Sequence, residues 1–439
     1  MEDKREELYN RLKYQALEAR WYWDYYSGAQ PLKYSHERLE EVFGRSTVNF
    51  VQNWCSVVVN AVADRLVFKG WDDPNETVNS TLDAFYKDES VARISREAHL
   101  DALVTGHGYV MVDRLDGKIR AFYNSPDTVT VLHSDADPQK IIAGMKRFKE
   151  DNLSVMMVYY PDRIERYEGE NVETPEGYRL ADEYPNPFGV VPIIEFTSKT
   201  ELRNVIPLQD TINKLFADMM VVSEFNAFRQ RWVITNADIS KLKGSPQSLW
   251  KFPKGASDEE GTQVGEFEQT NIGMYLDAID KLTNTIAVIS RTPKHYFMNT
   301  GANISGEALM VMEAPLVKKC KQIEKDFETS WLELAHIVSP SDKTLVIWDK
   351  VETEQIVTEA DAMTKLIALG LPLVTVLKQF GWSESQIDQM RKDKLEQKLA
   401  DADVAQQALE LARLRMEQTN TPETPETQLT QNEAAGVNG

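Results

Sequence analysis

Six histidines, two cysteines and many carboxylates are the side chains in this sequence best able to catalyse or to hold a metal. His36, His99, His107, His133, His295 and His336 are scattered, and no HExxH occurs to put two imidazoles one turn apart on a helix face for zinc. His99 and His107 could at most share a neighbourhood, so core or surface histidines are the better reading. Cys55 and Cys320 lie far apart in apolar helical patterns, which is neither a CxxC site nor a disulfide framework and fits a reducing compartment. Ser240 with Lys243, and Ser248 with Lys251, have the spacing of a nucleophile and its base. They fall in a glycine- and proline-bearing stretch rather than at a helix start, so chance explains them better. Asp135-Ala136-Asp137 lacks the glycine and closing glutamate of a calcium loop. No GxxxxGK[ST] is present to cradle phosphate, and Gly106-His107-Gly108 precedes a strand rather than a helix, as a turn would. Paired carboxylates recur too often to discriminate anything. No catalytic residue, metal-ligand set or cofactor is expected.

The charge balance narrows the partners. The 439 residues carry 49 Lys and Arg against 69 Asp and Glu, a net charge of −20. Such a chain does not hold polyanions by bulk attraction, since phosphate binding runs on Lys and Arg. Hydrophobic residues make up 42% and charged residues 27%, enough for a real core. The length corresponds to about three structural units at roughly 150 residues each. The first residues, MEDKREELYNRLKYQ, lack the apolar core of a signal peptide, so secretion is not expected. The most apolar stretch, Trp54 to Ala63, is interrupted by Ser56 and Asn60 and is too short to cross a bilayer. An intracellular, soluble, multi-unit protein is expected.

The elements explain more than the reactive side chains do. Residues 2–30 read as a charged helix crowded with Tyr9, Tyr14, Trp21, Tyr22, Trp23, Tyr25 and Tyr26, stopped by Ser27-Gly28 and Pro31. Its rings pack on the chain's own core or, second, on another subunit. A helix over about 49–66 is closed by Gly70-Trp71-Asp72-Asp73-Pro74, and another over about 76–104 breaks near Asp88. From Gly108 to Phe196, short β-type runs separated by Gly, Pro, Asn and Asp predict antiparallel sheet.

Pro207 opens a helix to about Ile234 that is apolar around much of its circumference, more than one interior face needs. A glycine- and proline-bearing insertion, with a basic part followed by Asp258-Glu259-Glu260, leads to a second helix over 272–289. The three together read as a hairpin with a decorated tip. A polar stretch over 294–305 precedes a long helix over about 306–338 with Pro315 inside it, where a kink is expected at a local cost of about 3 kcal/mol or more. A lone strand, Thr344 to Asp349, needs a partner from the N-terminal sheet. Helices over about 353–369, 372–380 and 384–416 follow, the last behind the capping box Ser383-Glu384-Ser385-Gln386. The polar end from Glu417 is predicted to be disordered. These features favour an assembly protein.

Several segments resemble one family in order. They are Tyr25-Tyr26-Ser27-Gly28; Asn53 with Val58-Val59-Asn60-Ala61, Arg65-Leu66 and Gly70-Trp71; Pro207-Leu208-Gln209-Asp210 with Asn213-Lys214; Ser223-Glu224-Phe225 with Arg229-Gln230-Arg231-Trp232; and Pro293 with Ser305-Gly306-Glu307-Ala308-Leu309. Across about residues 20–340 they are similar to the portal proteins of tailed bacteriophages, in the branch of siphophages with Gram-positive hosts. The resemblance implies an α+β portal fold. Its wing would be 1–206, stem helices 207–234 and 271–293, the clip 235–270, and the channel loop 294–308. A wing segment with the kinked helix and returning strand would be 309–352, crown helices 353–416, and a disordered tail 417–439. The weakly apolar C-terminal part departs from the family pattern.

The resemblance also implies roles. Leu215, Met219, Val222, Phe225, Ile279, Leu282 and Ile286 would pack the stem. Lys241, Lys243, Trp250, Lys251 and Lys254 would dock a partner at the clip, with a merely solvated basic loop as the alternative. Lys294, His295, Tyr296, Phe297, Met298, Asn299, Thr300 and Asn303 would line the channel, and Pro315 would bend the helix behind it. It implies a dodecameric ring at one capsid vertex, passing double-stranded DNA without reading its sequence. The large terminase subunit, a head-completion adaptor, and the major capsid and scaffolding proteins would be partners; no membrane would be. The protein would sit in the virion, after assembly in the host cytoplasm. The acid excess fits a duct wall along which DNA slides. A helical scaffold that bridges proteins without a channel is the alternative, and an enzyme acting on nucleic acid ranks behind it.

Overall fold

In the computed structural model, the described residues are 4–33, 51–170, 172, 174–227, 231–234, 263–297, 306–352, 356–380, 382, 386–400 and 407. The chain divides into two compact units, 1–353 and 354–439. The class is α+β.

The first unit opens with α1 (Arg5–Ser27), which buries Leu8, Leu12, Ala19, Tyr22 and Tyr25 on one face. It ends at Gly28 (φ 75°), whose N–H bonds back to Tyr25, a left-handed cap that glycine adopts without a Cβ clash. Helix α2 (Trp54–Ala63) starts where the Asn53 side chain accepts the Ser56 N–H at 3.3 Å. Then come strand β1 (Phe68–Asp72), α3 (Glu76–Asp88) and α4 (Val91–Thr105), so the helical pattern does break after Asp88.

Strands β2 (His107–Leu115), β3 (Lys118–Asn124) and β9 (Ile193–Thr197) form a three-stranded sheet in the order β3-β2-β9. Gly108 lets β2 lie against α4, since a Cβ there would come 2.0 Å from the Ala98 carbonyl oxygen. An antiparallel meander, in sequence order, joins β4 (Val129–His133), β5 (Ile141–Glu150), β6 (Leu153–Tyr159), β7 (Arg163–Glu170) and β8 (Arg179–Pro185). Helices α5 (Ile206–Ala227) and α6 (Gly273–Ser290) form a hairpin with the two-stranded ribbon β10 (Arg231–Ile234) and β11 (Gln263–Glu266) toward its tip. The long helix α7 (Gly306–Val338) contains Pro315, and β12 (Leu345–Trp348) pairs antiparallel with β1.

The main core is aromatic and joins residues far apart in sequence. Phe68 stacks on Trp331 with centroids 4.2 Å apart, and Trp71 donates its indole N–H to the Trp331 carbonyl at 3.0 Å. His99 accepts from the Trp331 indole at 3.0 Å, and its other ring nitrogen lies 3.3 Å from the Leu66 carbonyl. Burial pulls this imidazole down to about 3, so it is neutral.

Five elements differ from expectation. The first hairpin helix stops at Ala227 instead of about Ile234, and Arg231–Ile234 is a strand; Trp232, Val233 and Ile234 suit a pleated ribbon better than a helix end. Residues 70–72, expected in a turn, belong to β1. They supply the partner of β12, which therefore pairs outside the larger N-terminal sheets. Nothing in the sequence predicts strand β8, because all seven of its residues are exposed and carry no alternation.

In the second unit, α8 (Ile356–Ala368) turns at Gly370 (φ 93°) into α9 (Leu373–Gln379), which Pro372 precedes. Residues 386–400 are helical, and Val376, Leu377 and Ile387 are buried. The capping-box residues 383–385 and the tail from 417 lie outside the described residues.

Candidate functional site

The features that stand out are the helical hairpin and the junction where its second arm runs into α7. On α6, Ile279, Thr283, Ile286, Ala287 and Ser290 turn inward at spacings of three and four. Ile286 is fully buried, Leu282 is half-buried, and so are Leu215, Met219 and Val222 on α5. Phe225 lies in α5, but its side chain is outside what is described. The other side of α6 is also apolar. Met274 and Val288 are each 68% exposed and stand two heptads apart, with Ile289 beside them. The chain itself covers one apolar face of α6 and leaves a second open.

A polar knot roots α5. Gln209 accepts the Trp54 N–H at 2.8 Å and reaches the Gln52 carbonyl; Asn213 accepts the Gln52 N–H at 3.2 Å. Asp210 accepts from the Tyr25 hydroxyl at 2.9 Å and pairs with Lys33 at 3.2 Å. Toward the tip, Arg231 pairs with Glu266 at 3.2 Å, and Gly265 leaves room for the Trp232 ring, which a Cβ would meet at 2.4 Å. Lys241, Lys243, Trp250, Lys251 and Lys254 lie outside the described residues.

After α6, Lys294–Tyr296 make one short turn. The Phe297 ring is buried edge-on against Trp54 at 5.3 Å, which packs the start of the segment on the core. The Tyr296 hydroxyl accepts from the Arg65 guanidinium at 2.8 Å. Arg65 also pairs with Glu313 at 3.3 Å, with side chains only 14% and 8% exposed, and His295 reaches the same carboxylate at 3.5 Å. Glu313 stands two residues before Pro315. Beyond the proline, Lys319 binds Glu201 at 2.8 Å and the Ser290 carbonyl at 2.7 Å. Both sides of Pro315 are thus tied to other elements of the first unit. Met298, Asn299, Thr300 and Asn303 lie outside the described residues.

Two buried carboxylates, Glu195 and Asp101, carry no local signal in the sequence. Glu195 accepts from Tyr109 at 2.9 Å and lies 2.9 Å from His107 and 3.2 Å from His133. Burial pushes its carboxyl up, but His107, His133 and Tyr109 outweigh that and hold it below the usual range. Asp101 accepts from Trp23 at 3.1 Å and Tyr123 at 2.6 Å, and burial pushes it up to about 7. His99 and His107 do not share a site: one is stacked in the aromatic core, and the other is hydrogen-bonded to Glu195. Among the described residues, no group of His, Cys, Asp and Glu is placed to hold a metal ion, and no helix is long and apolar enough to cross a membrane.

A family model described as phage portal protein, SPP1 Gp6-like, matches residues 6–399. No curated protein matches the chain.

Proposed function

Because this chain belongs to the phage portal proteins of the SPP1 Gp6-like family, we propose that twelve copies close a ring that conducts double-stranded DNA at one capsid vertex. Proteins of this family are structural parts of the phage capsid and form oligomeric rings with capsid and terminase partners. The observation that carries the finer reading is the second apolar face of α6. Met274, Val288 and Ile289 stay 68%, 68% and 43% exposed, and neighbours in a ring of stem hairpins would cover them.

The remaining roles follow from position and charge. Residues 207–234 and 271–293 are the stem, 235–270 the clip, and the clip lysines dock the large terminase subunit and then the head-completion adaptor. Lys294, His295, Asn299, Thr300 and Asn303 meet phosphates in the channel, contacts that position without reading sequence. Tyr296 and Phe297 hold the root of that loop. Pro315 bends α7 between two fixed points, so the helix sets the loop's place. A net charge of −20 per copy makes the ring strongly negative and keeps DNA sliding. Residues 353–416 are the crown, and contacts with the major capsid and scaffolding proteins seat the ring during assembly in the host cytoplasm.

Native mass in moderate salt tests the ring. Twelve chains of 50.1 kDa give a particle of about 600 kDa. A stable dimer at every concentration would refute the ring and favour a helical scaffold without a channel. Deleting Asn299 to Asn303 tests the loop; unchanged packaging and DNA retention would remove that assignment.

A further inference from the structure

Lys319 stands on α7 beyond Pro315, and what it binds lies on two other stretches of chain. Its ammonium donates to the Ser290 carbonyl at 2.7 Å and to the Glu201 carboxylate at 2.8 Å. Ser290 is the last residue of α6, so its carbonyl is one of the acceptors left over at the helix's negative end, where a cation is favoured. Glu201 lies on the approach to α5, and its own amide bonds to the Leu103 carbonyl of α4 at 2.9 Å. The Lys319 and Glu201 side chains are 14% and 11% exposed. One buried ion pair therefore joins α7, the end of α6 and the approach to α5.

These contacts form two nested ties. The outer one joins Ser290 to Lys319. The inner one joins His295 to Glu313 at 3.5 Å, and Arg65 holds the same carboxylate at 3.3 Å. Glu313 and Lys319 fall on opposite sides of Pro315, and helical spacing turns them roughly 120° apart around α7. Each tie thus engages its own neighbours. Just inside the outer tie, Arg291 has φ 57°, a left-handed conformation that a non-glycine residue keeps only where its surroundings fix it. Here the Ser290 hydroxyl donates to the Ile286 carbonyl at 2.7 Å and lies 3.0 Å from the Thr292 hydroxyl. The Thr292 amide returns to the Ala287 carbonyl at 3.0 Å.

We infer that Lys319 is a positioning residue: it holds the end of α6 against α7 independently, so that the inner tie at Glu313 opens while the outer one stays closed. The inference deepens the channel-loop reading, and its purpose rests on that reading, which needs a neck of constant width behind a loop that meets DNA. The two ties share no side chain, and they lie on different sides of α7. Lys319 is also anchored twice, to a carbonyl at the end of one helix and to a carboxylate whose backbone is fixed to another. Losing the charge of Glu313 removes neither anchor.

Hydrogen exchange on the full chain tests this at two amides, Thr292 for the outer tie and Phe297 for the inner. Glu313→Gln should quicken Phe297 about a hundredfold or more and Thr292 by less than about threefold. Lys319→Met together with Glu201→Gln removes both charges of the pair, so neither is left buried alone and the chain should fold, as circular dichroism checks. Thr292 should then quicken about tenfold or more, the effect of losing a charged hydrogen bond at the end of α6. Lys319→Arg keeps a cation there and should return Thr292 to within about threefold of the unmodified chain. Equal quickening of both amides in Glu313→Gln would show a single cooperative neck and overturn the independent outer tie. An unmoved Thr292 in the double variant, or no rescue by arginine, would overturn the role of Lys319. A chain that never forms rings fails the ring reading alone, because both amides can be read in either state.

Discussion

Replacing Glu313 by glutamine keeps the side chain's shape and removes one charge from a pair that is 14% and 8% exposed. Arg65 then keeps the Tyr296 hydroxyl at 2.8 Å but loses its counter-charge. Breaking such a pair from one side costs about 3–5 kcal/mol, because the remaining charge stays buried. His295 cannot compensate, since it depends on the same carboxylate. The loss falls on the loop root, where the Phe297 amide bonds to the Lys294 carbonyl at 3.0 Å. If the pair is what keeps that root closed, local opening becomes easier by the same amount. At 1.4 kcal/mol per factor of ten, exchange of the Phe297 amide should quicken by roughly 10²- to 4 × 10³-fold. Hydrogen exchange on the assembled protein reads this directly, with amides in the β2–β3 hairpin as internal controls. Replacing both Arg65 and Glu313 by methionine should restore most of the protection, since no buried charge is left alone. An unchanged Phe297 amide in the glutamine variant would show that the buried ring against Trp54 holds the root without the ion pair.

Val288→Asp puts a charge on the open face of α6 and should leave a folded chain that no longer forms rings, read by native mass with circular dichroism as the folding control. Asp101, held near 7 against an unfolded value of 3.8, keeps its proton in the folded state where the unfolded chain releases it. Its contribution therefore falls as pH rises from about 4 to about 7, by about 1.4 kcal/mol per unit while folded and unfolded states differ by one proton. Asp101→Asn should flatten that slope in urea titrations, and an unaltered slope would count against it. Trp331→Phe removes the donor to His99 and strands a buried ring nitrogen, which should lower stability by about 1–3 kcal/mol in thermal melts. Changing Lys241, Lys243, Lys251 and Lys254 to Glu should weaken binding of the packaging motor or adaptor while rings persist; equal binding removes the docking role.

What the sequence makes legible is what periodicity controls. The hairpin helices, the break after Asp88, the antiparallel runs between Gly108 and Phe196 and the length of α7 all show as regular spacing. Strand β8 has no buried face, hence no pattern. Strand β1 is short and contains Gly70, and its partner lies near the other end of the unit, so local composition reads as a turn. The same limit hides the polar centres. Glu195 meets histidines 88 and 62 positions away, and Arg65 meets Glu313 across a far longer gap; nothing local marks either centre. The dense rings near the start of the chain left two readings open. Tyr22 and Tyr25 are in the chain's own core, and Trp21 is 44% exposed.

The pairing of β1 with β12 and the packing of Phe68 and Trp71 against Trp331 also set a schedule. Trp71 waits 260 residues for the carbonyl it binds. Until the ribosome has released α7 and β12, the aromatic floor of the first unit has no lid, and contacts this distant in sequence form late because a long loop must close first. The hairpin and its tip are translated inside that interval. An interrupted chain therefore carries the helices that would bind neighbours on a body that cannot close, with Phe68 and Trp71 exposed for chaperones and proteases. Only a chain read past residue 348 can present its hairpin on a rigid base, so incomplete copies are poor candidates for a place in the ring.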